Sequence, residues 1–127
     1  MRIMIADDAG FIRQIIRDAY IDAGHQIVAE TATGPETILQ ALEVKPDLLI
    51  LDLVLPGLNG LEVATEIAQQ DSSIMIVAMS SLNTDWIADD IKKAGCLYFL
   101  RKPFTKDELL RVIDMVQMTK GNELKHG

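Results

Sequence analysis

Three acidic residues and one lysine stand where short apolar segments of this chain end. Asp7 and Asp8 follow the first segment, Asp52 closes the third, and Lys102 follows the fifth, directly before Pro103. An ionised carboxylate inside a buried strand is costly, so these acids are expected at the C-terminal ends of strands, where open α/β sheets bind their ligands. Clustered carboxylates repel one another, and a hard divalent cation such as Mg²⁺ relieves that repulsion. The residue types therefore predict a metal-binding carboxylate cluster with a lysine beside it.

Asp52 is the candidate nucleophile of this cluster. Its carboxylate can accept a phosphoryl group and form an acyl phosphate, while the metal and Lys102 neutralise charge on the phosphoryl oxygens. Ser80, after the fourth apolar segment, offers a hydroxyl at the same edge. Structural alternatives remain open: Asp7 or Asp8 could be a helix N-cap, and Ser80 an ordinary turn residue.

Two other phosphate chemistries do not fit the residues. A flavin-phosphate site needs a donor loop rich in Ser, Thr and Gly after the first strand, where this chain has two acids that would repel a phosphate. A phosphatase of the D-x-D type needs a second acid two residues after the nucleophile, where this chain has Val54.

Short β-rich segments alternate with helical patterns five times along the chain. Strands are predicted over 2–6, 25–31, 48–53, 74–79 and 97–101. The first helix carries an apolar stripe that includes Phe11, Ile15 and Ala23, and the fourth runs from about residue 83 to 94. Pro35 opens the second helix, and the third and fifth begin with capping boxes, at Asn59 with Glu62 and Thr105 with Glu108. The segment from residue 119 onward is polar and shows no pattern.

Five βα units predict an α/β fold of the flavodoxin-like (βα)5 type. Its doubly wound, five-stranded parallel sheet has the order 2-1-3-4-5, with helices on both faces. The switch point lies between strands one and three, which places Asp7, Asp8 and Asp52 around one crevice.

Composition bounds the function. The 127 residues predict one domain over 1–119 followed by a polar tail, 120–127. A net charge of −7 argues against direct nucleic-acid binding and against an anionic membrane surface. The single Cys96 cannot form an internal disulfide, and neither a signal-peptide pattern nor an apolar stretch of membrane-spanning length is present. We therefore expect a cytoplasmic protein.

Over residues 2–118 the chain resembles the receiver domain of bacterial response regulators. The resemblance rests on Asp7-Asp8, Leu51-Asp52-Leu53 with Pro56 and Gly60, Ser80, and Lys102-Pro103-Phe104. It implies two-component signal transduction, in which a histidine kinase donates a phosphoryl group to Asp52 in a reaction that needs Mg²⁺, with Mn²⁺ as a substitute.

The resemblance also implies roles for single residues. Asp8, Asp52 and the backbone carbonyl of Val54 would be direct metal ligands, and Asp7 a water-mediated one. Ser80 matches the hydroxyl that moves toward the phosphoryl group, and Lys102 the lysine that pairs with it. Phe99 matches the switch aromatic that then turns inward. The peptide bond between Lys102 and Pro103 is expected to be cis.

The opening Asp7–Arg13 is similar to that of CheY-type chemotaxis regulators, although Phe99 replaces the tyrosine of the best-known ones. This implies a stand-alone regulator that catalyses only its own phosphorylation and dephosphorylation. It would bind a downstream protein through the fourth helix, fifth strand and fifth helix, with Trp86, Met115 and Met118 exposed there. The alternatives are the receiver half of a longer regulator, for example a DNA-binding one, a phosphorylation-independent interaction module, and a small phosphatase.

Overall fold

The computed structural model describes residues 1–81 and 87–126, which form a parallel sheet with helices on both faces. The elements in chain order are β1 (Arg2–Ala6), α1 (Gly10–Asp22), β2 (Gln26–Thr31), α2 (Gly34–Val44), β3 (Leu48–Asp52), α3 (Gly60–Gln70), β4 (Met75–Ser80), α4 (Ile87–Lys93), β5 (Tyr98–Arg101) and α5 (Lys106–His126). The strand order is β2-β1-β3-β4-β5, and each pairing is parallel. The predicted fold and strand order are confirmed.

The central strands are apolar on both faces because helices cover both. Alternate side chains of β1, β3 and β4 pack in two separate clusters. Met4, Leu49 and Ile76 lie in the cluster beneath α2, α3 and α4. Ile5, Ile50 and Val77 lie in the cluster beneath α1 and α5. All of β3 is buried, so its one acidic residue can approach solvent only at the strand's C-terminal end.

Both predicted capping boxes fix the start of a helix. At α3 the Asn59 Oδ1 accepts a hydrogen bond from the Glu62 N–H at 2.9 Å. At α5 the bonds are reciprocal: Thr105 Oγ1 accepts from the Glu108 N–H at 3.1 Å, and Glu108 Oε1 accepts from the Thr105 N–H at 3.2 Å. Caps of this kind contribute about 1 kcal/mol each, and here they set where each helix begins after the sheet edge.

The apolar stripe predicted for α1 is wrong at three positions. Phe11 is 72% exposed, and Ile15 and Ala23 are also exposed, while Ile16, Ala19 and Tyr20 are buried. The rotation of the helix is set by Tyr20, whose ring fills the core beneath α1 and α5 and whose hydroxyl donates to the Leu109 carbonyl at 3.0 Å. A buried tyrosine whose hydroxyl finds a partner outweighs the burial of these three apolar residues.

The C-terminal segment is helical where the sequence predicted an unpatterned tail. Helix α5 continues to His126. Polar contacts hold this part of the helix: the hydroxyls of Thr119 and Tyr98 lie 2.7 Å apart, and Lys120 Nζ lies 3.3 Å from Asp47 Oδ1. Such contacts leave no apolar periodicity in the sequence.

The predicted start of the fourth helix, with Leu82, Asn83 and Trp86, lies outside the described residues. Other element ends differ from prediction by one residue. Among the helices described, none combines the length and the apolar character needed to cross a bilayer.

Candidate functional site

The sheet brings together the three acids that the sequence placed around one crevice. β1 and β3 are adjacent, and one carboxylate oxygen from each of Asp7, Asp8 and Asp52 lies within 4.8 Å of the others. Their environments differ sharply. Asp7 is 0% exposed and Asp52 is 5% exposed, whereas Asp8 is open to solvent. The cluster therefore has a buried part and an accessible part.

Lys102 joins the two buried carboxylates. Its Nζ donates to Asp7 Oδ2 at 2.6 Å and to Asp52 Oδ2 at 2.9 Å. The lysine is held at the end of β5, where its backbone N–H donates to the Ser80 carbonyl at 2.9 Å. The following peptide bond, between Lys102 and Pro103, is cis as predicted.

Burial and pairing oppose each other in the titration of this site. Burial raises the pKa of Asp52 above its ordinary value, and the hydrogen bonds from the Val54 N–H and Lys102 oppose that rise only in part. Burial acts to lower the pKa of Lys102, but its hydrogen bonds to Asp7 and Asp52 outweigh burial, so the pKa is raised. The hydrogen bonds to the two buried carboxylates thus stabilise the charged form of the lysine.

The turn after β3 is fixed by backbone contacts. Asp52 Oδ1 accepts from the Val54 N–H at 2.9 Å, and the Leu53 carbonyl accepts from the Gly60 N–H at 2.9 Å. A Cβ on Gly60 would clash with the Leu53 Cα, so only glycine lets α3 begin this close to the strand end. The turn presents Val54, 60% exposed, at the pocket entrance.

Neither acid after β1 caps the following helix. The N-cap of α1 is Ala9, with no side-chain hydrogen bond to the helix end. Asp7 Oδ1 instead accepts from the Ala9 N–H at 2.8 Å, which orients the carboxylate toward the pocket. The simple N-cap alternative is therefore not realised.

Ser80 and Phe99 lie on the neighbouring strands β4 and β5. Ser80 ends β4 and is buried, so its hydroxyl belongs to the same edge as the acids. Phe99 pairs with Ala78 in the sheet register and is 37% exposed. Phe99 also lines a cavity of about 190 Å³ between β5 and α5, together with Glu108, Arg111 and Met115.

One contact of the site was missed in the sequence. Arg13 Nη1 donates to the Asp7 carbonyl at 2.7 Å, and the Arg13 Nε lies 3.4 Å from Glu30 Oε1. The available signal was weak: Arg13 and Arg17 lie one turn apart on α1, and Glu30 is the acid next to the apolar stretch of β2.

The donor set suits a hard cation. Three carboxylates supply only oxygen ligands, and Asp8 is accessible from solvent. Mg²⁺ prefers such oxygens, keeps several waters and is commonly held by one or two carboxylates plus phosphate. The residues present therefore fit a magnesium ion that shares its coordination with water or a phosphoryl group.

Comparison with known proteins gives a consistent match. Residues 3–114 match the family model of the response regulator receiver domain. Chemotaxis protein CheY of Bacillus subtilis is 34% identical over 113 residues, which cover 89% of this chain and 94% of that protein. Transcriptional regulatory protein PdtaR of Mycobacterium tuberculosis is 31% identical over 114 residues, which cover 90% of this chain and 55% of PdtaR. The solved structure of Vibrio cholerae chemotaxis protein CheY4 superposes with a TM-score of 0.82 at 26% identity, covering 91% of this chain and 97% of that one.

Proposed function

We propose that this chain, which belongs to the response regulator receiver domain family, carries its signal as a phosphoryl group on Asp52. Membership makes the chain a response regulator of two-component signal transduction. One observation carries the assignment to Asp52: this buried carboxylate shares Lys102 with Asp7, and its oxygens lie within 4.8 Å of those of Asp7 and Asp8. A nucleophile, a fixed cation and metal ligands thus occupy one pocket.

The proposed step is a single displacement at phosphorus. A carboxylate oxygen of Asp52 attacks the phosphorus of a kinase phosphohistidine, and a new P–O bond forms as the P–N bond breaks. The electron pair of the broken bond stays on the imidazole, which takes a proton from solvent. Lys102 supplies positive charge to the phosphoryl oxygens, and Asp7 keeps the ammonium in place.

Receiver domains bind Mg²⁺ in an acidic pocket, and we assign the ligands here to Asp8, Asp52 and the Val54 carbonyl, with Asp7 acting through water. When bound, the cation neutralises charge on the transferred phosphoryl group. Mn²⁺ accepts the same oxygen ligands and is expected to substitute.

The proposed phosphoryl donor is a histidine kinase, and the chain itself catalyses only its own phosphorylation and dephosphorylation. The similarity to CheY proteins favours a chemotaxis pathway. The buried Cys96 is the single cysteine of the chain and forms no internal disulfide, which supports a cytoplasmic location.

We assign the output surface to α4, β5 and α5. Phe99, Met115 and Met118 are exposed there, and the cavity beside Phe99 offers an anchor site. Trp86, expected on the same surface, lies outside the described residues. Movement of the Ser80 hydroxyl toward a phosphorylated Asp52 would let Phe99 turn inward. This would shift the balance between the conformations of this surface.

Amide-resolved NMR with and without beryllofluoride, a phosphoryl mimic, tests the output surface. We expect the largest shift changes at Phe99 and along α5 near Met115. Changes confined to α1 and α2, with Phe99 and Met115 unmoved, would place the output surface elsewhere.

Intact mass after incubation with acetyl phosphate and Mg²⁺ tests the acceptor. The wild-type chain should gain one phosphoryl group, and Asp52→Asn should gain none. Asp47→Asn is the matched control, because Asp47 is an aspartate near the opposite end of β3 that pairs with Lys120 and should leave uptake intact. A stable adduct on Asp52→Asn at unchanged stoichiometry would contradict the assignment. Absence of uptake by the wild type would favour a phosphorylation-independent interaction module.

A further inference from the structure

We propose that Arg13, anchored by Glu30 of the edge strand β2, is a positioning residue for the metal-binding carboxylates. The inference deepens the proposed function and rests on it, since it concerns the same acidic pocket. Arg13 touches neither the metal nor the phosphoryl group in this account. It acts through the backbone of Asp7, to which its guanidinium donates at 2.7 Å.

Asp7 is fully buried and each of its polar groups has a partner. Its N–H donates to the Thr31 carbonyl at 3.1 Å, and its carbonyl accepts from Arg13. Its two carboxylate oxygens accept from the Ala9 N–H and from Lys102. Because all the polar groups of Asp7 are hydrogen-bonded, a shift of its backbone would move both its carboxylate and the adjoining Asp8.

The guanidinium of Arg13 faces a carboxylate of β2. Its buried Nε lies 3.4 Å from Glu30 Oε1, an ion-pair distance without a hydrogen bond. Glu30 accepts hydrogen bonds from Arg17 Nη1, at 2.7 Å and 3.0 Å. Glu30 directly precedes Thr31, so β2 holds Asp7 both through the Thr31 carbonyl and through Arg13. An edge strand that is remote from Asp52 in the sheet thereby helps to place the pocket's acids.

Geometry, not charge, is the property that this role needs. The planar guanidinium can donate to the Asp7 carbonyl and face the Glu30 carboxylate at once, whereas the compact lysine ammonium cannot keep both contacts on one rigid plane. Removing the positive charge of Arg13 would strengthen cation binding electrostatically, whereas the loss of its positioning role would weaken cation binding. A lysine substitution keeps the charge and therefore isolates the positional effect.

Arg13→Lys and Arg17→Lys are the matched pair for the test. Both arginines lie on α1 and interact with Glu30, but the Asp7 contact belongs to Arg13. Titration calorimetry of the whole chain with Mg²⁺ should show about tenfold weaker binding for Arg13→Lys. This is the smaller end of the loss that follows when a residue that orients metal ligands is replaced. Arg17→Lys should stay within about twofold of wild type.

A second readout needs no metal. Hydrogen exchange of the Ala9 amide, which donates to Asp7 Oδ1, should be faster in metal-free Arg13→Lys than in Arg17→Lys after correction for global stability. A merely structural role of Arg13 would lower global stability without moving this corrected rate or the Mg²⁺ affinity.

Glu30→Asp, which keeps the charge but shortens the reach to Arg13, tests the step through β2 and serves also if Arg13→Lys fails to fold. It should weaken Mg²⁺ binding, and the double variant with Arg13→Lys should bind no more weakly than Arg13→Lys alone. Equal losses in both lysine variants, unchanged affinity in Arg13→Lys, or unchanged affinity in Glu30→Asp would each overturn the inference. A wild-type chain that binds no Mg²⁺ would instead contradict the proposed function.

Discussion

The pocket has two halves built on different principles. The inner wall, defined as Asp7, Asp52 and Lys102, is buried or half-buried, and its charges are hydrogen-bonded within the chain. The outer mouth, defined as Asp8 and Val54, is exposed. A transferred group needs fixed charges where negative charge must be stabilised and open access where the metal and phosphoryl group enter. The inner wall should therefore dominate the stability of the fold, and the outer mouth should dominate the exchange of the metal ion with solvent.

The largest loss of stability should come from a substitution in the inner wall. Lys102→Met leaves Asp7 and Asp52 facing each other without their shared cation, which should destabilise the metal-free protein by about 3 kcal/mol. Lys120→Met is the control, because it removes a solvent-exposed ion pair with Asp47 and should cost no more than about 1 kcal/mol. Urea unfolding at neutral pH measures both. Equal losses would erase the distinction between a buried and a surface pair.

The metal response should depend on the outer mouth. At free Mg²⁺ about 100 times its Kd, the wild-type chain should gain about 2.7 kcal/mol of stability. Asp8→Asn should lose most of that gain while changing the metal-free stability little, because Asp8 is exposed. Asp22→Asn, exposed at the far end of α1, should respond like wild type. Thermal melts with and without Mg²⁺ decide the matter; a full response in Asp8→Asn would remove this residue from the site.

The pH dependence of stability should expose the cost of burying Asp52. Its pKa is raised in the fold, chiefly by burial, so the native state binds protons more readily than the unfolded state between the ordinary value of 3.8 and the raised one. This contribution to metal-free stability is fully present below 3.8 and is lost as pH rises through the folded pKa. Wild type should therefore lose stability relative to Asp52→Asn as pH rises. Chemical unfolding at a series of pH values measures this difference. Parallel curves of unfolding free energy against pH for the two proteins would contradict a raised pKa of Asp52.

The smallest effect concerns the lifetime of the acyl phosphate. Val54 is apolar and exposed at the mouth, so it cannot orient an attacking water by a hydrogen bond. Val54→Asn should speed phosphate loss by about threefold to tenfold, well below the contribution of a full general base. Val54→Ala, which adds no polar group, should lack this gain. Phosphate loss that is equal or slower in Val54→Asn would contradict this role of Val54. Leu82, which is also apolar, is expected to flank the same water path but lies outside the described residues.

Most of the fold was predictable because the strands are short, dense apolar runs separated by helical patterns. Asn59 and Thr105 cap their helices through local hydrogen bonds, which sequence spacing records well. The rotation of α1 was not predictable, since it depends on Tyr20 reaching the Leu109 carbonyl across the core. The helical C-terminal segment was missed for a similar reason, because side chains distant in sequence hold it.

The site was predictable to the extent that it depends on strand ends. Asp52 and Lys102 could be placed because each follows a buried strand at the same sheet edge. The burial of Asp7 beside an exposed Asp8 was not predictable, because Asp7 contacts Thr31 and Lys102, which are distant in sequence. The contact between Arg13 and Glu30 was not predictable either, since it depends on how α1 packs against β2. Adjacent residues in sequence can lie on opposite sides of a pocket wall.

The position of the phosphoryl group on the wild-type chain tests the central claim most directly. Borohydride reduces an acyl phosphate of aspartate to homoserine, which marks the acceptor for peptide mapping by mass spectrometry. After acetyl phosphate, Mg²⁺ and borohydride, homoserine should appear at position 52 and at no other aspartate. Homoserine at Asp7 or Asp8 would contradict an inner wall built to present Asp52 as the nucleophile.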